Sequence, residues 1–205
     1  MIERYEDMPV GVFEKVTALL AKPADTADAT AGLIALLSGT TAEEVERLPI
    51  REYIRRREAL DFLNSEPDVQ RGRMPRAYDI AGQRVKVQAE PMRLTAAQFI
   101  DAQEYLADGG VGAHLADILC CFLIPEGRQY NDGYDLDALK AAVREHLPVT
   151  EALRLSAFFL RRWDGWWRRT LGCCAAAAWL RDRKGTRELR RRITATMRAG
   201  AGWPL

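Results

Sequence analysis

The spacing of apolar residues between proline and glycine breaks is the feature that most constrains this fold. Apolar residues recur three or four positions apart from Pro9 to Leu20, and Pro23 ends that segment. Similar short segments follow along the chain, and each is closed by glycine or proline. Apolar residues at this spacing lie on one face of an α-helix, and proline cannot continue a helix. The sequence therefore predicts a set of short amphipathic helices.

Helix-start signals support this prediction at three places. Thr41 is followed three residues later by Glu44, and Thr95 is followed at the same distance by Gln98. This capping-box pattern satisfies backbone donors at the start of a helix. Asp135 is predicted to cap a further helix that runs to Glu145. A strongly apolar stretch, Ala113 to Ile124, is predicted to be the most buried helix, with Pro125 ending it.

The strand signal lies between Ala77 and Ala89. Two alternating stretches, Tyr78–Ile80 and Val85–Val87, flank a turn that contains Gly82. Glycine tolerates the positive φ that a tight hairpin turn needs. A lone hairpin is marginal in water, so we expect it to pack on helices or to pair with another strand.

The expected fold class is mainly α: a compact helical domain with one small β-hairpin at about residues 77–89. Three segments are predicted: a helical segment at 1–68, the hairpin plus a helical core at 77–160, and a basic, Trp- and Arg-rich helical segment at 161–205. The chain has 205 residues, of which 48% are hydrophobic, so the three segments can pack together as one compact unit.

The composition favours a soluble, intracellular protein. The first residues are charged and contain no apolar run, so no secretory signal is expected. The longest uncharged stretch, Ala29 to Ala42, has 14 residues, whereas a membrane-spanning helix needs roughly 20 apolar residues.

The cysteines occur as two adjacent pairs, Cys120–Cys121 and Cys173–Cys174. Neighbours on a helix point about 100° apart, so one pair does not readily supply two ligands to one metal ion. We expect buried free thiols in a reducing compartment, with a metal site or a disulfide as the alternatives.

Catalytic and metal-binding motifs are not found in the sequence. The two histidines, His114 and His146, lie outside any metal-binding pair or nucleophile motif. The glycine run 109–112 follows no strand and therefore lacks the context of a phosphate loop. The acidic cluster at 132–137 lacks the glutamate that a calcium loop needs at its twelfth position, so a turn and a helix cap are expected there. No enzymatic activity, metal or cofactor is predicted.

A longer helix is predicted to begin at Val149. Its apolar residues form one stripe at helical spacing, and the stripe includes Leu153, Leu160, Trp163, Trp167, Leu171, Cys174 and Ala178. Gly165 and Gly172 permit a bend or a break.

The charge is distributed unevenly along the chain. Residues 161–205 contain twelve Lys and Arg against three acids, a net charge of +9, so residues 1–160 carry −8 within a total of +1. The basic segment also contains all five tryptophans. This combination fits a core-facing aromatic stripe with a solvated arginine face, a protein interface, or contact with nucleic acid or a membrane surface. The candidate partner-binding residues in this segment are Trp163, Trp166, Trp167, Arg168 and Arg169.

Four segments, taken together and in order, resemble phage tail assembly chaperones and neighbouring tail proteins. They are residues 33–49, with a short helix before them; the hairpin leading into Leu94–Asp101; residues 118–127 followed by 130–135; and Leu155–Leu160. The match spans residues 8–160, and the basic end has no counterpart in it.

The resemblance implies a protein that binds the tape-measure protein, whose apolar helical segments would otherwise aggregate before the tail tube forms. It implies an apolar or aromatic groove, for which the candidates are the stripe on the long helix and the rim around Tyr130 and Tyr134. A structural tail or baseplate component is the alternative, and a nucleic-acid-binding regulator that uses the basic end is a third. Homo-oligomers are compatible with this assignment, and the expected location is the cytoplasm of a bacterial host.

Overall fold

The computed structural model describes residues 1–21, 26–65, 67–68 and 74–162. Within these ranges, eight α-helices and a three-stranded antiparallel sheet form a mainly α fold with a small hairpin, as the sequence predicts. The helices are α1 (Val10–Leu20), α2 (Thr26–Ser38), α3 (Ala42–Glu46), α4 (Ile50–Glu58), α5 (Ala96–Ala107), α6 (Gly110–Cys120), α7 (Leu136–His146) and α8 (residues 149–162). The strands are β1 (Ala77–Ile80), β2 (Gln83–Val87) and β3 (Leu123–Pro125), and 3₁₀ turns cover Tyr5–Asp7, Ala59–Asn64 and Pro91–Arg93.

The predicted helix caps are formed. The Glu44 amide donates to Thr41 Oγ1 at 3.3 Å, and the Thr41 amide donates to Glu44 Oε2 at 3.0 Å. Thr95 and Gln98 make the same reciprocal pair at the start of α5. Asp135 accepts two backbone hydrogen bonds at the start of α7, each 3.0 Å long. Local side-chain chemistry thus sets where these three helices begin.

The hairpin joins β1 to β2 through a two-residue turn. Both turn residues have positive φ, 50° at Ala81 and 77° at Gly82. Two successive positive φ angles match the right-handed twist of the flanking strands. Val85 and Ile80 are buried on the inner face of this hairpin. The hairpin predicted at about 77–89 is therefore confirmed.

The end of the predicted helix Ala113 to Ile124 is wrong. Helix α6 ends at Cys120, and Leu123–Pro125 forms β3, which pairs with β2 in antiparallel register. The helical conformation is disfavoured before Pro125, and an extended Leu123–Ile124 occupies the edge of β2. The hairpin thus both pairs with a third strand and packs on helices.

The apolar core draws on both halves of the described chain. Helix α6 packs against α1, α5 and α7, and its Leu115, Ile118 and Leu119 are buried. Met8 and Ile34, from the N-terminal half, belong to the same buried cluster. Because residues from 1–68 and from 77–160 share this core, the two predicted segments are in direct contact.

The start of α8 is tied to the N-terminal segment. The Val10 amide donates to the Leu147 carbonyl at 3.1 Å, and the Val149 amide donates to the Met8 carbonyl at 2.8 Å. Of the stripe predicted on the long helix, Leu153 is buried and Leu160 is partly buried. Its members from Trp163 to Ala178 lie outside the described residues.

Candidate functional site

Tyr130, predicted to lie on a binding rim, is buried. The residue is 8% exposed, and its hydroxyl donates to Asp101 Oδ2 at 2.6 Å and lies 3.8 Å from Cys121 Sγ. Burial, followed by the hydrogen bond to Asp101, raises the pKa of Tyr130 far above its ordinary value. Tyr130 therefore anchors the loop after β3 to α5 and offers little surface to a partner.

Tyr134 lies in the same loop and is partly buried. Its hydroxyl is buried, and this burial raises the pKa of Tyr134. The backbone of Asn131 acts in the opposite direction and lowers that pKa in part. The other predicted partner-binding residues, Trp163, Trp166, Trp167, Arg168 and Arg169, lie outside the described residues. Their role, like that of Tyr130 and Tyr134, stays a prediction.

The cysteine pair at the end of α6 consists of buried free thiols, as expected. Burial raises the pKa of Cys121 to about 12, and burial raises that of Cys120 further. A thiol becomes a nucleophile or a metal ligand as the thiolate, so these environments hold both groups in their unreactive form. Cys173 and Cys174 lie outside the described residues.

The acidic loop before α7 serves as a turn and a helix cap. Asn131 adopts a left-handed conformation with φ of 57°, and Asp135 caps α7. Within the described part of the chain, no group of three or more His, Cys, Asp or Glu side chains is placed to hold a metal ion.

A network of charged side chains links α1, α6 and α7 inside the fold. Glu14 of α1 and Asp117 of α6 are both buried, and Arg144 of α7 reaches them at 2.9 Å and 2.7 Å. The Ala116 amide donates to Glu14 Oε1 at 2.8 Å. The favourable interactions with these partners raise the pKa of Arg144 although burial alone would lower it. Arg144 of α7 thus pairs with one acid from α1 and one from α6.

Lys140 and His114 also contact Asp117 and extend this network. Lys140 Nζ lies 3.4 Å from Asp117 Oδ1 and donates to the Tyr105 hydroxyl at 2.9 Å. Burial alone would lower the pKa of Lys140, but these two partners outweigh it and raise that pKa. His114 Nδ1 lies 3.2 Å from Asp117 Oδ2, and its Nε2 lies 2.9 Å from the Asp108 carbonyl oxygen.

Helix α6 begins irregularly where it meets α1. His114 has a non-helical conformation, with φ of −128° and ψ of 35°. Gly109 and Gly110 have positive φ, and a Cβ on Gly112 would lie 2.6 Å from Thr17 Cγ2. The glycine run 109–112 therefore lets α6 approach α1 closely and brings His114 to Asp117. The glycine run therefore serves packing, and the polar side chains beside it, His114 and Asp117, contact each other.

Sequence reasoning did not find this network, although a signal was present. Glu14 and Asp117 are single acids within apolar helical stretches, and Lys140 and Arg144 lie four residues apart on α7. Residues at that spacing lie on one face of a helix. A lone acid on an apolar face predicts a buried ion pair when an adjacent helix presents such a pair of cations.

The described surface exposes large apolar side chains at few places. They are Met1, Leu20, Ile50, Ile54, Met92 and Ile100. Isolated exposed apolar residues are ordinary, so a binding surface requires several on one face. Helix α4 exposes two of them, Ile50 and Ile54, and α5 exposes Ile100, with Met92 in the turn just before it.

Helix α5 exposes a mostly apolar stripe, which we call the α5 face. It consists of Ala96, Ile100, Gln103 and Ala107, which are exposed and spaced to lie along one side of the helix. Ile100 is 52% exposed, and Met92 precedes the helix at 78% exposed. Glu104 and Asp108 flank the stripe on one side. The opposite side of α5, with Gln98 and Ala102, is buried.

Comparisons of the chain with protein-family models, with curated proteins and with solved structures found no match. Among the described residues, no helix combines the length and the apolar character that crossing a membrane requires.

Proposed function

We propose that this protein is a non-enzymatic phage tail assembly chaperone that binds apolar helical segments of a tape-measure protein in the cytoplasm of a bacterial host. The observation that carries the proposal is the α5 face. A stripe that exposes Ile100 beside the small side chains of Ala96 and Ala107 is a surface on which another helix can lie. The acidic flank of Glu104 and Asp108 favours a partner helix with basic residues beside its apolar ridge.

The resemblance and the surface meet in one segment. Leu94–Asp101, which resembles the tail chaperones, contains the start of α5 and therefore Ala96 and Ile100. Met92 stands just before it. Methionine is unbranched and adapts to partners of different shape, which suits a protein that shields several segments of one long chain.

The chemistry of the described residues also favours binding over catalysis. The buried acids Glu14 and Asp117 are matched by Arg144 and Lys140. Burial raises the pKa of the Cys120 and Cys121 thiols, which keeps them protonated. Catalytic groups, in contrast, are usually left available to a substrate. The basic end, with Trp163 and its neighbours, stays in the proposal as a second contact for the same partner.

Co-expression tests the proposal. The full chain is produced with the tape-measure protein encoded beside it, and the soluble fraction of that partner is measured with and without the chain. We expect more soluble partner and a complex that survives gel filtration. No complex and no gain in solubility would contradict the proposal.

The variant Ile100→Glu assigns the effect to the α5 face. Burying a whole isoleucine contributes about 1.5–3 kcal/mol, so covering the exposed half of Ile100 contributes about 1 kcal/mol. A buried carboxylate adds a desolvation cost, and we expect the dissociation constant to rise at least about tenfold. Leu20→Glu, at a similarly exposed apolar site on α1, is the matched control and should bind as the wild type does.

Two outcomes assign the chain to the other functions. Recovery in purified particles at a fixed ratio to tail proteins would identify a structural tail or baseplate component. A salt-sensitive shift of DNA that disappears when residues 161–205 are removed would identify a nucleic-acid-binding regulator.

A further inference from the structure

Helix α4 presents a surface that neither the core nor the α5 face explains. None of its residues, Ile50–Glu58, is buried. Tyr53 and Arg56 point toward the body and are partly buried, whereas Ile50 and Ile54 stand 69% and 44% exposed. The helix therefore turns a half-polar side inward and its two isoleucines outward, the reverse of an ordinary surface helix.

Arginines border the two isoleucines. At 100° per residue, Arg57 falls on one side of the isoleucine pair, and Arg51 and Arg55 fall on the other. The exposed Glu58 falls between Ile54 and Arg51, so three arginines and one glutamate surround the isoleucines. Arg55 is 78% exposed on its side chain and only 3.8 Å from Glu52, which pairs closely with Arg56 at 2.9 Å. Among the described residues, Arg51 and Arg57 form no ion pair. We call Ile50, Arg51, Ile54, Arg55 and Arg57 the α4 face.

A cleft of about 530 Å³ opens beside the α4 face. It lies between α4, the end of α2 and the N-terminal segment, and its lining includes Glu3, Ser38, Glu52, Arg55 and Arg56. Ser38 Oγ is buried and has no hydrogen-bond partner among the described residues. Glu52 pairs with Arg56 and lies near Arg55, and Glu3 also lines the cleft, so the charges of the cleft balance. The surface left for a partner is therefore the exposed side of α4.

From this arrangement we infer that the α4 face docks an acidic amphipathic helix of another protein. Apolar residues of such a helix cover Ile50 and Ile54, and its carboxylates meet the arginines on both sides. Charge complementarity selects this partner. The chain's own C-terminal segment is excluded as the occupant by its charge, since residues 161–205 are strongly basic.

Nucleic acid fits the surface less well. Helix α3 lies directly before α4 and exposes Glu43, Glu44 and Glu46. Residues 42–58 contain five arginines and five glutamates, a net charge of zero. A duplex carries phosphates without interruption and would meet these acids, whereas a short helix that bears two or three carboxylates can avoid them. The exposed isoleucines also have no role in contacts with phosphate.

The experiment uses the full chain and three labelled probes. The first is a designed helical peptide with isoleucines four residues apart between glutamates, the second is the same peptide with lysine for each glutamate, and the third is a DNA duplex of equal length. Binding is followed by fluorescence anisotropy at low and at moderate ionic strength. We expect the wild type to bind the glutamate peptide, more tightly at low salt, because salt screens exposed charges over about 10 Å.

Variants on the α4 face locate the binding. Ile54→Gln should weaken the glutamate peptide about tenfold, equivalent to about 1.4 kcal/mol. The double variant Arg51→Glu, Arg55→Glu should abolish that binding and create binding of the lysine peptide. Arg51→Lys should keep the binding of the glutamate peptide. Leu20→Gln, at an exposed apolar position on α1, is the matched control that should leave this binding unchanged. All of these positions are exposed, and a circular dichroism melt checks that each variant folds.

Three results would overturn the inference. The first is the absence of glutamate-peptide binding at low salt, or equal binding of the lysine peptide by the wild type. The second is tighter binding of the duplex, lost with the arginines, which would assign the face to nucleic acid. The third is concentration-dependent self-association abolished by Ile54→Gln, which would assign it to a second copy of the chain.

Discussion

Arg144 should be the most sensitive charged residue of the core. It joins Glu14 at 2.9 Å and Asp117 at 2.7 Å, and both carboxylates are buried. The variant Arg144→Met keeps most of the side-chain volume but removes the charge that neutralises these groups. Lys140, at 3.4 Å from Asp117 Oδ1, is too far from ideal geometry to replace it fully.

The expected cost follows from the burial of the partners. Removing one member of a buried ion pair costs about 3–5 kcal/mol, because an uncompensated charge remains. The side chain of Arg144 is still 37% exposed, so water recovers part of the interaction, and we expect about 2–3 kcal/mol. For a chain of this size, such a loss lowers Tm by about 4–12 °C.

Urea unfolding followed by circular dichroism measures the effect, with Glu14→Gln and the double variant completing a cycle. The amide oxygen introduced by Glu14→Gln would still accept the hydrogen bond from the Ala116 amide, so the single variant isolates the charge. The double variant should lose about 1–2 kcal/mol less than the two single variants together. A loss below about 0.5 kcal/mol for Arg144→Met, or simple additivity, would refute the claim that this network fastens α7 to α1 and α6.

Three further predictions concern stability. Burial raises the pKa of Cys121 from 9.0 to about 12 in the folded protein. The free energy of unfolding should therefore keep the Cys121 contribution below pH 9 and lose it between pH 9 and 12, by up to about 1.4 kcal/mol per pH unit. Cys121→Ala should make this fall shallower in urea titrations, and an equal slope in both proteins would contradict the assignment. Gly112→Ala should lower the free energy of unfolding by about 1–3 kcal/mol, because the added Cβ would lie 2.6 Å from Thr17 Cγ2. Adding Thr17→Ser removes that methyl group and should restore the measured Tm. No recovery would show that this contact is not the cause. Thr95→Ala should cost about 0.5–2 kcal/mol by removing the α5 cap, and Thr95→Ser should keep most of the stability in the same unfolding assay.

The sequence predicted those parts of the fold that local chemistry determines. The caps at Thr41, Thr95 and Asp135 depend on residues two or three positions away, and the hairpin depends on the turn at Gly82. Strand β3 depends on a distant partner, since Val85 opposes Pro125. An apolar stretch this short has no periodicity that distinguishes a strand from a buried helix end.

The candidate surfaces were less predictable because they depend on what covers each helix. The spacing of Ile50 and Ile54 indicates one helix face but not whether that face turns inward. Tyr130 shows the converse, since an aromatic residue in a polar loop favoured exposure, yet its hydroxyl is buried against Asp101. Tertiary packing decides both cases, and no local pattern contains that information.

A photo-crosslinking measurement tests the central claim most directly. A photo-reactive amino acid is placed at position 100 on the α5 face, and separately at position 20 on α1 as the matched control. Each full chain is irradiated in cells that also produce the tape-measure protein. The proposal predicts an adduct with the tape-measure protein from position 100 and none from position 20. Equal adducts from both positions, or none from position 100 while the two proteins still form a complex, would contradict the assignment of the α5 face as the chaperone surface.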